Sequence, residues 1–179
     1  MDIAHILFSP NGRIGQNSYW VGILIVIAAN AFLTWIPVLG FLIWLALIYV
    51  GAVVAAKRLH DAGRTGWLHL LPWALSASLA VLAVLAAGGA FIAGLMSALS
   101  EPGGFAALEA GEPTREQLAH LVVGGAGSLL AFLFLTGLSM LVWVVYTIWV
   151  GLLAPDPGPN RFGPPPGPAR THEAAGASQ

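Results

Sequence analysis

Long apolar stretches alternate with short polar segments along the chain, and charged residues mark where each stretch ends. No Asp, Glu, Lys or Arg occurs within residues 14–56, 67–100 or 121–155. As one helix, the first of these stretches would rise roughly 65 Å, about twice the thickness of a bilayer's hydrocarbon core. It must therefore fold back on itself. Pro37 marks the break, because proline lacks an amide donor and disfavours helix in the residue before it.

Four membrane spans follow from this pattern. We predict them at about residues 18–36, 38–56, 70–98 and 121–153, as an all-α, integral membrane four-helix bundle that forms a single domain over residues 1–167. Prolines recur over residues 155–168, so the segment after the fourth span is predicted to be a Pro-rich tail without regular helix. Its end, residues 168–179, is predicted to be disordered.

Small and aromatic residues along the spans bear on how the helices pack. Small residues recur at spacings of four, as in Gly124 with Ser128 and Ala90 with Gly94. Such spacing lets helices approach closely in lipid. Because alanine and glycine are frequent throughout the spans, we interpret each pair as a chance match. Tyr19, near the start of the first span, is predicted to lie in an interfacial aromatic belt.

Composition favours a membrane location. Charged residues make up 8% of the chain and apolar residues 58%, and this charged share is about a third of that in a soluble domain. The lipid bilayer is therefore the predicted partner of the apolar surface. A formal net charge of −1 provides no basic field for nucleic acid. The chain has no cysteine, which excludes disulfides, thiolate metal sites and cysteine nucleophiles.

The lysines and arginines fall on one side of the predicted spans. Of the seven, only Arg115 lies between spans three and four. The positive-inside rule then predicts that both termini and the middle loop are cytoplasmic. The loop at about residues 99–120 also carries four glutamates and is predicted to face outward as a solvated connector. The alternative is that residues 113–118 begin a short helix or extend the fourth one.

Three polar segments are predicted to meet at the cytoplasmic face. They are Gly12-Arg13, the sequence RLHDAGRTGW at residues 58–67, and the sequence NRFGPPP at residues 160–166. With these segments in this order, nearly the whole chain resembles domain-of-unknown-function family 805, a family of small bacterial inner-membrane proteins. The stretch between spans three and four is longer than the resemblance leads us to expect. The resemblance implies a bacterial inner-membrane location and no assigned activity.

Eight polar residues near these segments form the candidate binding site. They are Arg13, Arg58, His60, Asp61, Arg64, Asp156, Asn160 and Arg161. Arginine forks suit phosphate or carboxylate groups, and aspartates can hold such forks in place. We predict that Arg58 or Arg161 contacts Asp61 or Asp156, which would join the middle loop to the tail. A purely structural role, in which such pairs only pin the tail, is weighed above a ligand site.

The sequence favours a non-enzymatic membrane protein whose cytoplasmic Arg/His/Asp cap binds a partner protein or an anionic lipid headgroup. A small oligomeric transporter or pore is the alternative, although predicted spans without charged residues argue against a proton-coupled pump. A membrane enzyme acting on lipid, with His60 and Asp61 as acid and base, is a third interpretation. No nucleophile elbow, metal-ligand spacing or nucleotide fingerprint occurs, so no catalytic residue, metal or cofactor is predicted. A homo-oligomer is compatible with all three.

Overall fold

The computed structural model describes residues 3–167, and within them every regular element is helical. The elements are α1 Ile3–Phe8, α2 Gln16–Leu33, α3 Leu39–Asp61, a 3₁₀ turn at Gly66–His69, α4 Leu70–Ser100, α5 Gly104–Glu109 and α6 Arg115–Leu152. Four stretches, namely α2, α3, the 3₁₀ turn with α4, and α6, are long and apolar enough to cross a membrane. The all-α class and the four long helices are thereby confirmed, while α1 and α5 were not predicted. The tail predicted at residues 168–179 lies outside the described residues.

The apolar side chains of the long helices are largely exposed. Phe32 is 79% exposed, Val123 71% and Phe134 71%. Soluble monomers rarely expose apolar surface of this extent. Helices satisfy their own backbone hydrogen bonds, so such surfaces suit a lipid environment.

Two compact units make up the fold. One comprises the residues up to Leu70 together with those from Tyr146 onward, and the other comprises Leu71–Val145. Helices α4 and α6 each contribute to both units. All eight candidate site residues belong to the first unit, while the prediction of a single domain stays a prediction.

In the first unit, α2 packs against α3 through a small residue. A Cβ on Gly22 would lie 3.0 Å from a methyl group of Val54, so only glycine allows this approach without a shift of the valine. Tyr19 is fully buried, and its hydroxyl donates to the carbonyl oxygen of Thr147 at 2.9 Å. The prediction that Tyr19 lies in an interfacial belt is therefore wrong, because the phenol has a buried acceptor on α6.

In the second unit, α4 and α6 cross at two glycines. A Cβ on Gly94 would lie 2.7 Å from the Cα of Gly124, which leaves no room for a side chain. One turn further along α6, the hydroxyl of Ser128 donates to the carbonyl oxygen of Ala87 at 2.7 Å. The spacing of small residues that we interpreted as chance is thus a helix–helix contact of the kind found in lipid.

The start of α6 is capped by its own sequence. The backbone amide of Thr114 donates to the Gln117 side chain at 2.8 Å, and the amide of Gln117 donates back to the Thr114 hydroxyl at 3.2 Å. This is a capping box. Gln117 is fully buried and also donates to the carbonyl oxygen of Ala98 at 3.3 Å. Residues 115–118 therefore extend the fourth long helix, and the interpretation of this part of the loop as a solvated connector is wrong.

Candidate functional site

The middle polar motif begins on a helix rather than in a loop. Helix α3 continues to Asp61, past the end predicted at about residue 56. Its C-terminus closes through Gly63, which has a φ of +68°, where an L side chain would be strained. The amide of Gly63 donates to the His60 carbonyl at 3.0 Å and that of Arg64 donates to the Leu59 carbonyl at 2.8 Å. These two bonds form a Schellman cap.

Three charged side chains therefore belong to α3. Lys57, Arg58 and Asp61 lie in its last turns and are each at most 1% exposed. The second predicted span, about residues 38–56, holds none of these residues, but α3 is longer than that span and carries all three. Ionisable groups buried in such a helix need partners, and the neighbouring segments supply them.

Arg13, Arg58 and Asp61 form a buried ion cluster that we call the arginine clasp. Arg13 donates from Nε and Nη2 to Oδ1 of Asp61, at 3.1 and 3.0 Å. Arg58 pairs through Nη1 with the other oxygen, Oδ2. The side chains are at most 1% exposed. One carboxylate thus pairs with two buried guanidinium groups. The contact of Arg58 with Asp61 is one of those predicted, but the pair lies within α3 and does not itself join the middle segment to the tail.

The clasp also holds the segment that follows α6. Arg13 donates from Nη2 to the Asp156 carbonyl at 2.5 Å and from Nη1 to the Gly158 carbonyl at 2.7 Å. Arg58 donates from Nη2 to the carbonyl of Leu153. The backbone amide of Asp156 donates to the Asp61 carbonyl at 2.7 Å. The three polar segments therefore converge as predicted, with Arg13 as the link between the first segment, α3 and the tail.

Among the described residues, the polar groups around the clasp have partners, with one exception. Asp156 does not pair with an arginine, because its carboxylate accepts from the Asn160 side chain at 3.1 Å and from the Gly158 amide at 3.4 Å. Lys57 is fully buried and donates to the His5 carbonyl at 2.5 Å. Within residues 3–167, Nε of Arg58 has no hydrogen-bond partner. That nitrogen is the one buried side-chain atom of the clasp for which the described residues supply no partner.

His60 lies beside the clasp and packs against the tail. Its ring stacks on Phe162 with centroids 3.8 Å apart and planes 7° apart, and its Nδ1 lies 3.3 Å from the Gly12 carbonyl. Asn160 donates to the His60 carbonyl at 3.0 Å. The carboxylate of Asp61 faces the arginines and makes no contact with the imidazole, so this geometry gives no support to an acid–base pair of His60 and Asp61.

Arg64 and Arg161 form the exposed part of the site. The Arg64 guanidinium lies 5.4 Å from the ring centroid of Trp149, and that of Arg161 lies 4.6 Å from the ring centroid of Phe162. In the described part of the chain, neither arginine pairs with a carboxylate. Of the predicted alternatives, a contact between Arg161 and an aspartate is therefore not formed within the described residues.

Two cavities adjoin these groups. The outer cavity, of ≈ 390 Å³, is lined by Ala52, Ala56, His60, Thr65, Gly66, Trp67, His69, Leu70 and Phe162. The inner cavity, of ≈ 260 Å³, is lined by Arg13, Gly15, Gln16, Arg58, Asp61, Pro155, Asp156, Pro157, Pro165 and Pro166. Gly66 keeps the outer cavity's wall compact, since a Cβ there would lie 2.9 Å from the Cβ of Ala56. The described residues contain no cluster of three or more side chains suited to a metal.

Residues 7–164 match the family described as "Protein of unknown function (DUF805)". The chain belongs to this family. The membership inferred from the three polar motifs is thereby confirmed. Two proteins, each named "Uncharacterized protein YiiR", in Escherichia coli strain K12 and Escherichia coli O157:H7, are 35% identical to the chain over 88 residues. The match covers 43% of this chain and 60% of each relative, less than two thirds of their length. No solved structure matches the chain.

In this DUF805 protein, three features of the site have no counterpart among the predicted residues. Lys57 is buried and precedes Arg58 of the clasp, Phe162 is the stacking partner of His60, and Gly15 is the N-cap of α2 and lines the inner cavity. Phe162 was within reach of sequence reasoning, since it belongs to the same motif as Asn160 and Arg161. Nothing in the sequence pattern points to Gly15.

Proposed function

We propose that this DUF805 member is a non-enzymatic, multi-pass protein of the bacterial inner membrane that binds anionic lipid headgroups at its cytoplasmic face. The binding surface comprises the two exposed arginines, Arg64 and Arg161, together with Trp67. The buried clasp of Arg13, Arg58 and Asp61 has a structural role, and it holds the segment carrying Arg161 against α3. In this proposal, the exposed arginines have the ligand-binding role and the buried residues have the structural role that the sequence analysis considered for the site.

The observation that carries this proposal is that Arg64 and Arg161 are exposed and unpaired with carboxylates in the described range. Each lies over an aromatic ring, which orients a guanidinium while its N–H donors remain available. Neither is neutralised by a carboxylate in the described range. Trp67, which is 77% exposed, follows Arg64 closely at the end of α3. Tryptophan favours the headgroup level of a bilayer, where arginines meet lipid phosphates.

The distribution of charge supports the orientation. In the sequence, six of the seven lysines and arginines precede the first predicted span, lie between the second and third, or follow the fourth, and only Arg115 lies between the third and fourth. The positive-inside rule assigns such residues to the cytoplasmic face. The cytoplasmic leaflet carries anionic lipids. Both termini are therefore assigned to the cytoplasm in this proposal, and the two relatives from Escherichia coli support a bacterial membrane.

The proposal is tested by measuring lipid binding to the purified protein in nanodiscs with native mass spectrometry. Phosphatidylglycerol is titrated against phosphatidylcholine for the wild type and for Arg64→Gln, Arg161→Gln and the double variant. A basic residue near an anionic surface contributes about 1 kcal/mol, so each substitution should weaken the preference for phosphatidylglycerol about fivefold. The double variant should lose about 25-fold.

Arg115→Gln is the matched control, because Arg115 is also exposed but lies in the loop assigned to the opposite face. It should leave the lipid preference unchanged. Equal preferences in the wild type and the double variant would refute headgroup binding. If a protein then co-purifies with the wild type and not with the double variant, the same surface binds a protein partner instead.

A further inference from the structure

The outer cavity runs from a polar end at His60 along one side of α3. Ala56 and Ala52 line it and precede His60 by four and eight residues, so the three lie on one side of the helix. Ala52 lies about 12 Å from His60 along the helix axis. None of the nine described residues that line the cavity is Asp, Glu, Lys or Arg. This combination of a polar end and an apolar trough suits an amphipathic ligand.

His60 brings an acceptor to the polar end. Its Nδ1 lies 3.3 Å from the Gly12 carbonyl, which can only accept, so the neutral imidazole carries its proton on Nδ1 and a lone pair on Nε2. Nε2 lies 3.2 Å from the place that a Cβ on Gly66 would take, and Gly66 also lines the cavity. No donor among the described residues reaches Nε2, which, unlike Nε of Arg58, is not shut off from solvent.

Thr65 brings a donor to the same cavity. Its hydroxyl oxygen accepts from the Trp67 amide at 3.4 Å, and within residues 3–167 its O–H has no acceptor. An alcohol can donate to Nε2 of His60 and also accept from Thr65. A carboxylate or phosphate oxygen can only accept, and an ammonium group can only donate. The pair of groups therefore favours a ligand that carries hydroxyls.

An exposed arginine lies close to these groups. The Arg161 guanidinium lies 4.6 Å from the ring centroid of Phe162, and that ring stacks on His60 with centroids 3.8 Å apart. The two contacts keep the guanidinium within a distance of His60 that a phosphodiester and its alcohol substituent can span. Arg64 directly precedes Thr65 in the chain. A phosphate held by the arginines can therefore place its alcohol at the cavity.

We infer that the outer cavity binds the glycerol headgroup of an anionic phospholipid of the phosphatidylglycerol class. The inference rests on the proposed function, in which Arg64 and Arg161 bind the phosphate, and it names the part of the headgroup that is recognised. A headgroup hydroxyl donates to Nε2 of His60 and accepts from Thr65, and the apolar part of the lipid lies along the alanines of α3. The volume of ≈ 390 Å³ lies within the roughly 300–1,000 Å³ of small-molecule sites.

Phosphatidylmethanol with matched acyl chains isolates the contribution of the hydroxyls. It is a phosphodiester with the same single negative charge as phosphatidylglycerol, but its headgroup has no hydroxyl. Each lipid is titrated against phosphatidylcholine in nanodiscs that hold the full-length protein, and binding is followed by native mass spectrometry. The wild type should prefer phosphatidylglycerol over phosphatidylmethanol about fivefold, the equivalent of one neutral hydrogen bond.

Two substitutions remove the recognising groups one at a time. His60→Phe keeps an aromatic ring to stack on Phe162 but has no Nε2, and Thr65→Val keeps the shape of the side chain but has no hydroxyl. Each variant should bind the two anionic lipids about equally and still prefer both over phosphatidylcholine, because the arginines are unchanged. Thr65→Ser is the matched control, since it keeps the hydroxyl and should keep the wild-type preference.

The outcomes separate this inference from the proposed function. If the wild type binds both anionic lipids equally and better than phosphatidylcholine, the inference is overturned and the proposed function stands. If the wild type prefers neither anionic lipid over phosphatidylcholine, both are refuted. A wild-type preference for phosphatidylglycerol that persists in His60→Phe or in Thr65→Val would show that its hydroxyls are recognised elsewhere, and would also overturn the inference.

Discussion

Replacing Asp61 by asparagine isolates the charge that holds the clasp together. The substitution keeps the shape of the side chain but removes the negative charge shared by Arg13 and Arg58. It also turns one acceptor oxygen into an amide donor that must face a guanidinium. Removing one partner of a buried ion pair costs about 3–5 kcal/mol. Because Asp61 accepts three side-chain bonds from the two arginines, we expect Asp61→Asn to fall at the upper end of this range.

Asp156→Asn is the matched control. Asp156 lies at the same cluster, but its carboxylate accepts only from neutral groups, the Asn160 side chain and the Gly158 amide. An asparagine oxygen can replace one of these acceptors, so the expected loss is about 1 kcal/mol or less. The comparison separates the loss of a buried counter-ion from the general effect of an Asp-to-Asn change in this region.

The assay is unfolding in sodium dodecyl sulfate, followed by the fluorescence of the chain's seven tryptophans. A double-mutant cycle adds Arg13→Met to Asp61→Asn. Since Arg13→Met removes one of the charges that Asp61→Asn leaves unpaired, the double variant should cost less than the sum of the singles by about 1–3 kcal/mol. Equal losses for Asp61→Asn and Asp156→Asn, or strictly additive singles, would refute the assignment of a buried ion cluster.

Three further predictions concern the long helices and their orientation. Gly94→Ala should lower the free energy of unfolding by about 1–3 kcal/mol, because its Cβ meets α6. Gly88→Ala, whose Cβ meets nothing within 4 Å, should raise it by up to about 1 kcal/mol. Losses at both positions would argue against the helix crossing. Gln117→Ala should cost about 1–2 kcal/mol in the same assay, through the lost capping box and the bond to the Ala98 carbonyl, and an unchanged stability would show that the cap contributes nothing. In intact cells, a membrane-impermeant maleimide should label Glu109→Cys and reach Pro159→Cys only after permeabilisation; the natural chain has no cysteine, and the reverse pattern would contradict the proposed orientation.

The long helices were predictable because hydropathy and charge act along the chain itself. A helix in lipid needs an uninterrupted apolar stretch of sufficient length, and the charged residues that bound such stretches are visible in the sequence. The ends of the helices were harder to predict. Helix α3 reaches Asp61 because Arg13 and the tail neutralise and cover its last charged residues, and these partners lie roughly 50 to 100 positions away in the sequence.

Only some of the contacts within the site could be predicted from the sequence. The contact between Arg58 and Asp61 was predictable, since residues three apart on a helix are neighbours. The role of Arg13 as the central link was not, because it depends on backbone carbonyls, which every residue has and no sequence pattern marks. Asp156 was one of two aspartates considered as a partner of Arg58 or Arg161, but its carboxylate accepts from Asn160, four residues further along the tail.

The close contact of Gly94 with Gly124 was not predicted, because the frequent glycines and alanines made the spacing look like a chance match. In a chain with 22 glycines, four-residue spacings of small residues arise often without a contact. Whether a given glycine lies at a crossing depends on how both helices are rotated about their axes. Because these helices are apolar on all sides, the sequence does not specify that rotation. Gly88, with open space around it, has the same local sequence character as Gly94.

Formation of one disulfide tests most directly whether Arg13 brings the start of α2 and the tail together. A Cβ on Gly15 would lie 3.8 Å from Cγ of Pro166, so the start of α2 and the tail are in contact here, and a pair of cysteines at the two positions reports on that contact. After mild oxidation of the Gly15→Cys/Pro166→Cys protein, a count of free thiols should show near-complete intramolecular cross-linking, and adding Arg13→Met should lower the yield sharply. A pair of cysteines that stays reduced, or one that cross-links equally well without Arg13, would contradict the clasp.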